Sequence, residues 1–297
     1  MNTPRSLLRR QRAQLTPTTA EEQAALNVVT EKLIRISDET MDFVFDAIDP
    51  PRVGSPFTRA TEADLRDPYD YAGHLIYATH DHLRTILAII KMGSLPSYAM
   101  YTLLRPAAEA AVRAKHLLVP TISEAERLAR GLNERLDNLW EQRKAGADPR
   151  DVASRIRHLE KRAKANSISV EWSKPKPGRK RVITGFGEPV RSDLDLFKLH
   201  LRAGVTAFRF LSAHVHSKPW VQLPKSRAKA TPTPTIATIS TEINLMVFCS
   251  VLDSVLNLQD ANVGHIIVLS GYPLSTWNTM KARPLPPIGN APTVAAQ

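Results

Sequence analysis

Apolar residues recur along this chain at intervals of three, four and seven, the spacing that lines one face of an α-helix, while strand-like alternation is almost absent. The fold expected is therefore all-α, a multi-helix bundle of about seven helices. Leu26, Val29, Leu33, Ile36, Phe43 and Val44 predict a first helix over about Ala20 to Ile48, ended by Pro50 and Pro51. Arg52 to Asp67, rich in Pro, Thr and Ser, reads as a loop. A second helix is expected over about Tyr69 to Met92, with Gly93 as its C-terminal stop. Ser94 can cap a third, whose face is Leu95, Tyr98, Tyr101, Leu104, Ala108, Ala111, Leu117 and Leu118, and Pro120 closes it. Pro106 stands inside this pattern, where it removes a backbone hydrogen bond and should kink the helix at a cost of about 3 kcal/mol.

Ser123 and Glu126 have the spacing of a capping box and open a fourth helix that reaches Lys144. A fifth, Pro149 to Ala165, is polar and reads as a surface helix. Periodicity then disappears, and residues 166–190 read as a basic loop insertion with one short hairpin near Val182 to Phe186. The clearest stripe in the chain follows, a sixth helix over about Ser192 to His214 carrying Leu194, Phe197, Leu201, Gly204, Val205, Phe208, Leu211 and Val215. Gly204 would admit a close helix neighbour. Residues 218–235, with Pro219, Pro224, Pro232 and Pro234, should be extended or irregular. A seventh helix over about Ile236 to Gln259 is apolar on nearly every face and is expected to be central. The pattern thus gives a single helical domain over 20–283, with flexible tails at 1–19 and 284–297.

With 43% hydrophobic side chains in 297 residues, the chain can bury a sizeable core, which argues against disorder. The one cysteine, Cys249, has no internal disulfide partner and reads as a small core residue of the seventh helix. The apolar stretch Ile243 to Leu258 is broken by Asp253 and is too short to span a bilayer. Arg5, Arg9, Arg10 and Arg12 are not followed by the apolar run of a signal peptide, so a cytoplasmic location and no membrane partner are expected. The net charge of +11 is not spread evenly, because residues 1–20 carry +4 and residues 161–181 carry +7. Local charge of this kind suits contact with phosphates, which makes Lys174, Lys176, Arg179, Lys180 and Arg181 candidate nucleic-acid-binding residues.

The nine histidines do not form a metal pattern. His74, His80 and His82 lie two and six apart on one expected helix, not on the adjacent turns that an i, i+4 zinc pair uses, and no metal is expected. A glycine-rich phosphate loop, a Gly-x-Ser-x-Gly elbow and a dinucleotide fingerprint are all missing, so no cofactor is expected either. Two constellations remain. Arg105 and Glu109 stand one helical turn apart beside Pro106, which makes them either an ordinary ion pair or the two walls of a polar pocket. The stretch FRFLSAHVHSKPW, residues 208–220, puts Arg209, Ser212, His214 and His216 where a helix meets a loop. There a guanidinium could neutralise a phosphodiester while an imidazole moves a proton, with no metal required; the plainer reading is a helix C-terminus whose histidines complement the dipole.

The stretches LLRPAAEAAVRAKHLL (103–118) and FRFLSAHVHSKPW, which frame roughly residues 95–220, resemble the HEPN superfamily of all-helical domains. More narrowly they resemble a branch with an Arg-Pro-x-x-Glu helix followed by an Arg-x-Leu-Ser segment and histidine. Many members resemble toxin or defence ribonucleases in which an Arg and a following His from each of two protomers form one metal-independent cleft. Four residues intervene between Arg209 and His214 and six between Arg209 and His216, and the position after the arginine is Phe210, where active members commonly carry a polar residue. The resemblance implies a homodimer that binds or cleaves RNA, with Arg209, His214, His216 and Ser212 in catalytic roles. The alternative is a non-catalytic interaction module in which Arg105, Glu109, Arg209 and His214 form a structural polar network.

Overall fold

A computed structural model describes residues 19–37, 50–63, 65–93, 95–96, 98–175, 177–178, 180–218, 226–229, 238–241 and 245–282. Among these the chain is an all-α bundle of ten helices with two small antiparallel sheets. The helices are α1 (Ala20–Ser37), α2 (Pro56–Glu62), α3 (Asp67–Lys91), α4 (Ala99–Leu118), α5 (Glu124–Lys144), α6 (Pro149–Ala165), α7 (Asp193–His200), α8 (Gly204–Val215), α9 (Leu245–Leu269) and α10 (Leu274–Lys281). The strands are β1 (Val170–Trp172), β2 (Ile183–Phe186), β3 (Glu188–Pro189), β4 (Ser226–Lys229) and β5 (Thr238–Thr241). No helix of the described residues is long and apolar enough to cross a membrane.

Helix α4 is the hub, and its alanines are the reason. Ala107, Ala108, Ala111 and Ala114 are sealed from solvent together with Met100, Tyr101, Leu104 and Leu117, so neighbouring backbones can approach it closely. Antiparallel α3 is its main partner. Gly93, at φ +67°, ends α3 by donating to Ile90 O, which turns the chain back towards α4. Helix α9 crosses both of them. Its two fully buried amides donate to backbone carbonyls of the pair, Gln259 to Ile76 O at 3.0 Å and Asn262 to Ala111 O at 2.9 Å. Helices α1, α7 and α8 add to this core, in which Leu33, Phe197, Leu211, Phe248 and Leu252 meet. A second layer, α5 and α6 with the β1–β2–β3 sheet, has its own core of Leu132, Leu136, Leu159 and Phe186. Arg113 of α4 holds the layers together through Glu134 (2.6 Å) and Asp137 (3.3 Å) of α5 and Asp193 (2.7 Å) of α7.

Several elements differ from the sequence pattern. Within the expected loop 52–67, Ser55 and Pro56 start α2, the Ser55 hydroxyl accepting from Thr58 N. The third helix begins at Ala99 with Tyr98 at its N-cap and continues unbroken through Pro106; Ser94, expected as the cap, lies outside the described residues, as do 38–49 at the end of the first helix. The expected sixth helix is two helices. Ala203 adopts φ +54°, Gly204 N donates to Leu201 O, and a Cβ on Gly204 would lie 1.9 Å from Phe197 O. What Gly204 admits is therefore the carbonyl of the preceding helix rather than a separate neighbour. The apolar stripe spans the break because Phe197, Leu201 and Leu211 all enter the same core. The expected seventh helix starts nine residues late, since the β-branched run at Thr238–Thr241 pairs with β4 instead, and it continues past Gln259, where Asn262 is buried with Ala111 O as its partner. The basic insertion is a three-stranded sheet rather than a loop with one hairpin.

Candidate functional site

The residues singled out by sequence divide between the inside and the outside of α8. On an α-helix, positions 209, 212 and 216 fall within about 60° of one another, whereas 214 lies about 140° round from 209. The structure follows this arithmetic. Arg209 and His216 are exposed and Ser212 is half-buried on one stripe, with His216 at the C-cap. His214 faces inward at 4% exposure. Its ring stacks on Tyr101 of α4 (centroids 4.0 Å apart, planes inclined 30°) and packs edge-on against Phe210, and its Nδ1 lies 2.9 Å from Phe210 O. Within one chain Arg209 and His214 therefore do not share a face, whereas Arg209 and His216 do.

Arg105 and Glu109 come together as the sequence suggested, with guanidinium and carboxylate 2.5 Å apart. The pair does more than join two turns of α4. Arg105 Nη1 donates to Phe208 O of α8 at 3.0 Å, and its guanidinium lies 4.2 Å from the Phe208 ring centroid. Arg105 thus locks α8 onto α4, while Glu109 balances its charge. Arg209, outward on α8, is not part of this lock.

The basic insertion is anchored from the bundle side. Asn133 of α5, buried, accepts from Phe186 N (2.7 Å) and donates to Phe186 O and Glu188 O (both 3.1 Å), which fixes the sheet edge against α5. The far end of the hairpin carries Lys174, Lys180 and Arg181, all exposed; Lys176 and Arg179 lie outside the described residues. Sequence reasoning passed over Trp172, which pairs across the strands with Ile183 and is 40% exposed, its ring 5.9 Å from the Arg181 guanidinium. An aromatic residue within a run of lysines and arginines was the available signal.

Cys249 is buried as expected, and burial pushes its thiol up to about 11, which leaves it unreactive. Among the described residues, no group of three or more His, Cys, Asp or Glu is placed to hold a metal. A cleft of about 750 Å³ lies between α2, α3 and the end of α9 beside Phe57, Tyr69 and Tyr77, away from both constellations. The molecule is thus an all-α bundle with a lysine- and arginine-rich hairpin and an outward Arg-Ser-His stripe. The chain matches no family model, no curated protein and no solved structure.

Proposed function

We propose that this chain is a HEPN-like RNA-binding protein of the cytoplasm, and that the β1–β2 hairpin is its principal contact with RNA. The observation that carries the reading is the hairpin's surface chemistry. Trp172 offers an exposed ring on which a base can stack, with Lys174, Lys180 and Arg181 around it to neutralise phosphates. In a finer form of the proposal, two copies of the chain bring their α8 stripes together and cleave the bound strand without a metal. The ribose 2′ hydroxyl gives its proton to the His216 imidazole and bonds to the adjacent phosphorus. The bond from phosphorus to the 5′ oxygen breaks, that oxygen takes a proton from water, and Arg209 neutralises the charge on the phosphoryl oxygens. Ser212, between them on the stripe, supplies a further hydrogen bond.

Single-stranded RNA titrated into the protein at several salt concentrations tests the binding step, and a mixed RNA pool incubated in EDTA tests cleavage. Trp172→Ala should weaken binding by about 1 to 3 kcal/mol while leaving the fold intact. His216→Ala should abolish cleavage with an unchanged melting temperature, whereas His214→Ala should lower the melting temperature through the cavity it leaves beside Tyr101. Unchanged binding by Trp172→Ala removes the hairpin from the proposal. Cleavage that survives in His216→Ala removes the α8 stripe.

The second reading, a non-catalytic interaction module, is favoured by the Arg105–Glu109–Phe208 lock and by the buried His214, which tie residues of both sequence segments into structure. Binding without cleavage by the wild-type protein is the result that selects it.

A further inference from the structure

Arg66, Tyr69, Asp70, Gly73, His74 and Tyr77 follow one another along α3 and its N-cap at spacings of three, one, three, one and three. On an α-helix these positions fall within an arc of about 140°. That face forms one wall of the cleft of about 750 Å³, with Pro51, Phe57 of α2 and Ile266 of α9 across from it. The opposite wall is fastened to the bundle. Arg52 N donates to Ser270 O at 2.9 Å and Tyr272 Oη to Pro50 O at 3.1 Å, which ties the segment ahead of α2 to the end of α9. Phe57 then packs edge-on against Tyr69 of α3, their ring centroids 5.0 Å apart.

Gly73 stands near the middle of this face, and helix packing does not account for it. A glycine inside a helix is less stable than an alanine, and it is kept where a neighbour comes too close for a Cβ. The other glycines of the described helices fit that account. A Cβ on Gly131 would lie 2.6 Å from Pro68 Cγ, one on Gly204 1.9 Å from Phe197 O, and one on Gly264 2.9 Å from Leu274 Cδ1. A Cβ on Gly73 would meet nothing within 4 Å, so what this glycine leaves is room in the cleft. The lining also defines what could fill that room. Arg66 and Asp70 are its only charged members among the described residues, and they hold each other twice, Nε to Oδ2 at 2.8 Å and Nη2 to Oδ1 at 2.9 Å. A phosphate would have to compete with Asp70 for the guanidinium, and an ammonium with Arg66 for the carboxylate. Phe57, Tyr69 and Tyr77 supply aromatic surface, Tyr77 at 43% exposure. His74 is exposed, has no hydrogen-bond partner among the described residues, and when neutral offers one donor and one acceptor.

We propose that this cleft binds a small, uncharged aromatic heterocycle, its flat face over Gly73 and its polar edge hydrogen-bonded to His74. Aromatic walls, few polar groups and a volume within about 300 to 1,000 Å³ are the ordinary make-up of a small-molecule site. The lining includes no residue of the hairpin, the α8 stripe or the Arg105–Glu109 pair, so the site stands without the RNA reading.

The test titrates the full chain with indole, with 1-methylindole, which has no N–H to donate, with the charged relatives indole-3-acetate and tryptamine, and with cyclohexanol as the non-aromatic control. Binding is read by NMR and by thermal melting. Indole should bind saturably, shift the ring protons of His74 and Tyr77, and raise the melting temperature as any ligand of the folded state does; cyclohexanol should do none of these. 1-Methylindole should bind about fivefold more weakly, the equivalent of one hydrogen bond at ~1 kcal/mol, and His74→Ala should bind the two indoles equally. Gly73→Leu puts a side chain into the open space. It should melt at the same or a higher temperature, because leucine is the better helix former, and lose at least about tenfold in indole affinity. Should that variant fail to fold, the comparison of the two indoles in the wild type and in His74→Ala carries the test. Silence toward indole, undiminished binding by Gly73→Leu, or tighter binding of either charged relative overturns the proposal. So does dimerisation that Gly73→Leu abolishes, which would assign the cleft to a second copy of the chain.

Discussion

His116 shows how one buried imidazole sets a pH response. Burial comes first in holding it neutral, and the positive charges of Arg130 on α5, Arg191 ahead of α7 and Arg113 on α4 reinforce it, with His200 facing its Nδ1 and Glu188 the only acid near its Nε2 among the described contacts. Its folded pKa of about 3 lies below the ordinary 6.5, so between these values the unfolded chain binds the proton and the folded chain does not. Stability contributed by His116 is therefore present above pH 6.5 and lost as the pH falls below it, with a slope approaching about 1.4 kcal/mol per pH unit for a fully buried group. Urea unfolding measured at intervals between pH 7 and 4.5 should show this loss, and His116→Gln should flatten it. His200 and His265 act in the same direction but more weakly, since water reaches both. At this scale the sequence identified residues better than it identified their roles. Arg105 and Glu109 were legible as a pair from their spacing, whereas the reach of Arg105 to Phe208 O, 103 positions along the chain, was not.

Among the elements, α7 and α8 show why an unbroken stripe is not an unbroken helix. Hydrophobic period records which residues enter the core, and Phe197, Leu201 and Leu211 enter it whether or not the backbone reverses between them. The reversal depends on backbone torsions at Ala203 and on contact between Gly204 and Phe197 O, which no periodicity encodes. Gly204→Ala should accordingly destabilise the protein by about 1 to 3 kcal/mol, measured by chemical denaturation, because the new Cβ forces α8 away from α7. A neutral result would mean that the break at Leu201 to Ala203 can open without cost. The same reversal sets the rotation of α8, which turns Arg209 and His216 outward and His214 inward.

For the molecule as a whole, the separation of charge from core is the organising fact. The bundle is built from alanine- and leucine-rich faces, while seven of the eleven excess positive charges lie in residues 161–181, which run from the last turn of α6 into the small sheet pinned by Asn133. Removing residues 172–181 should leave the melting temperature of the bundle nearly unchanged and weaken RNA binding. The slope of log affinity against log salt should become shallower by about 0.7 for every phosphate of a single strand that the shortened protein no longer neutralises. Circular dichroism and titrations between low and moderate salt measure both. An unaltered salt slope would mean that the hairpin charge is merely solvated.

Sequence alone determined that the chain is all-α, where α5 and α6 lie, that Gly93 stops α3, and that Arg105 faces Glu109. Each of these depends on residues within about one helical turn of one another, where propensity, capping and i, i+4 geometry act directly. Only the tertiary structure decided that one stripe is two helices, that His214 is sealed against Tyr101 while His216 is open, and that Trp172 stands exposed among basic residues. The meeting of His116 with His200, and of Lys115 with His265, belongs to the same class. It is made by α4, α7 and α9 packing together, and a one-dimensional pattern carries no information about which faces of separate helices will meet.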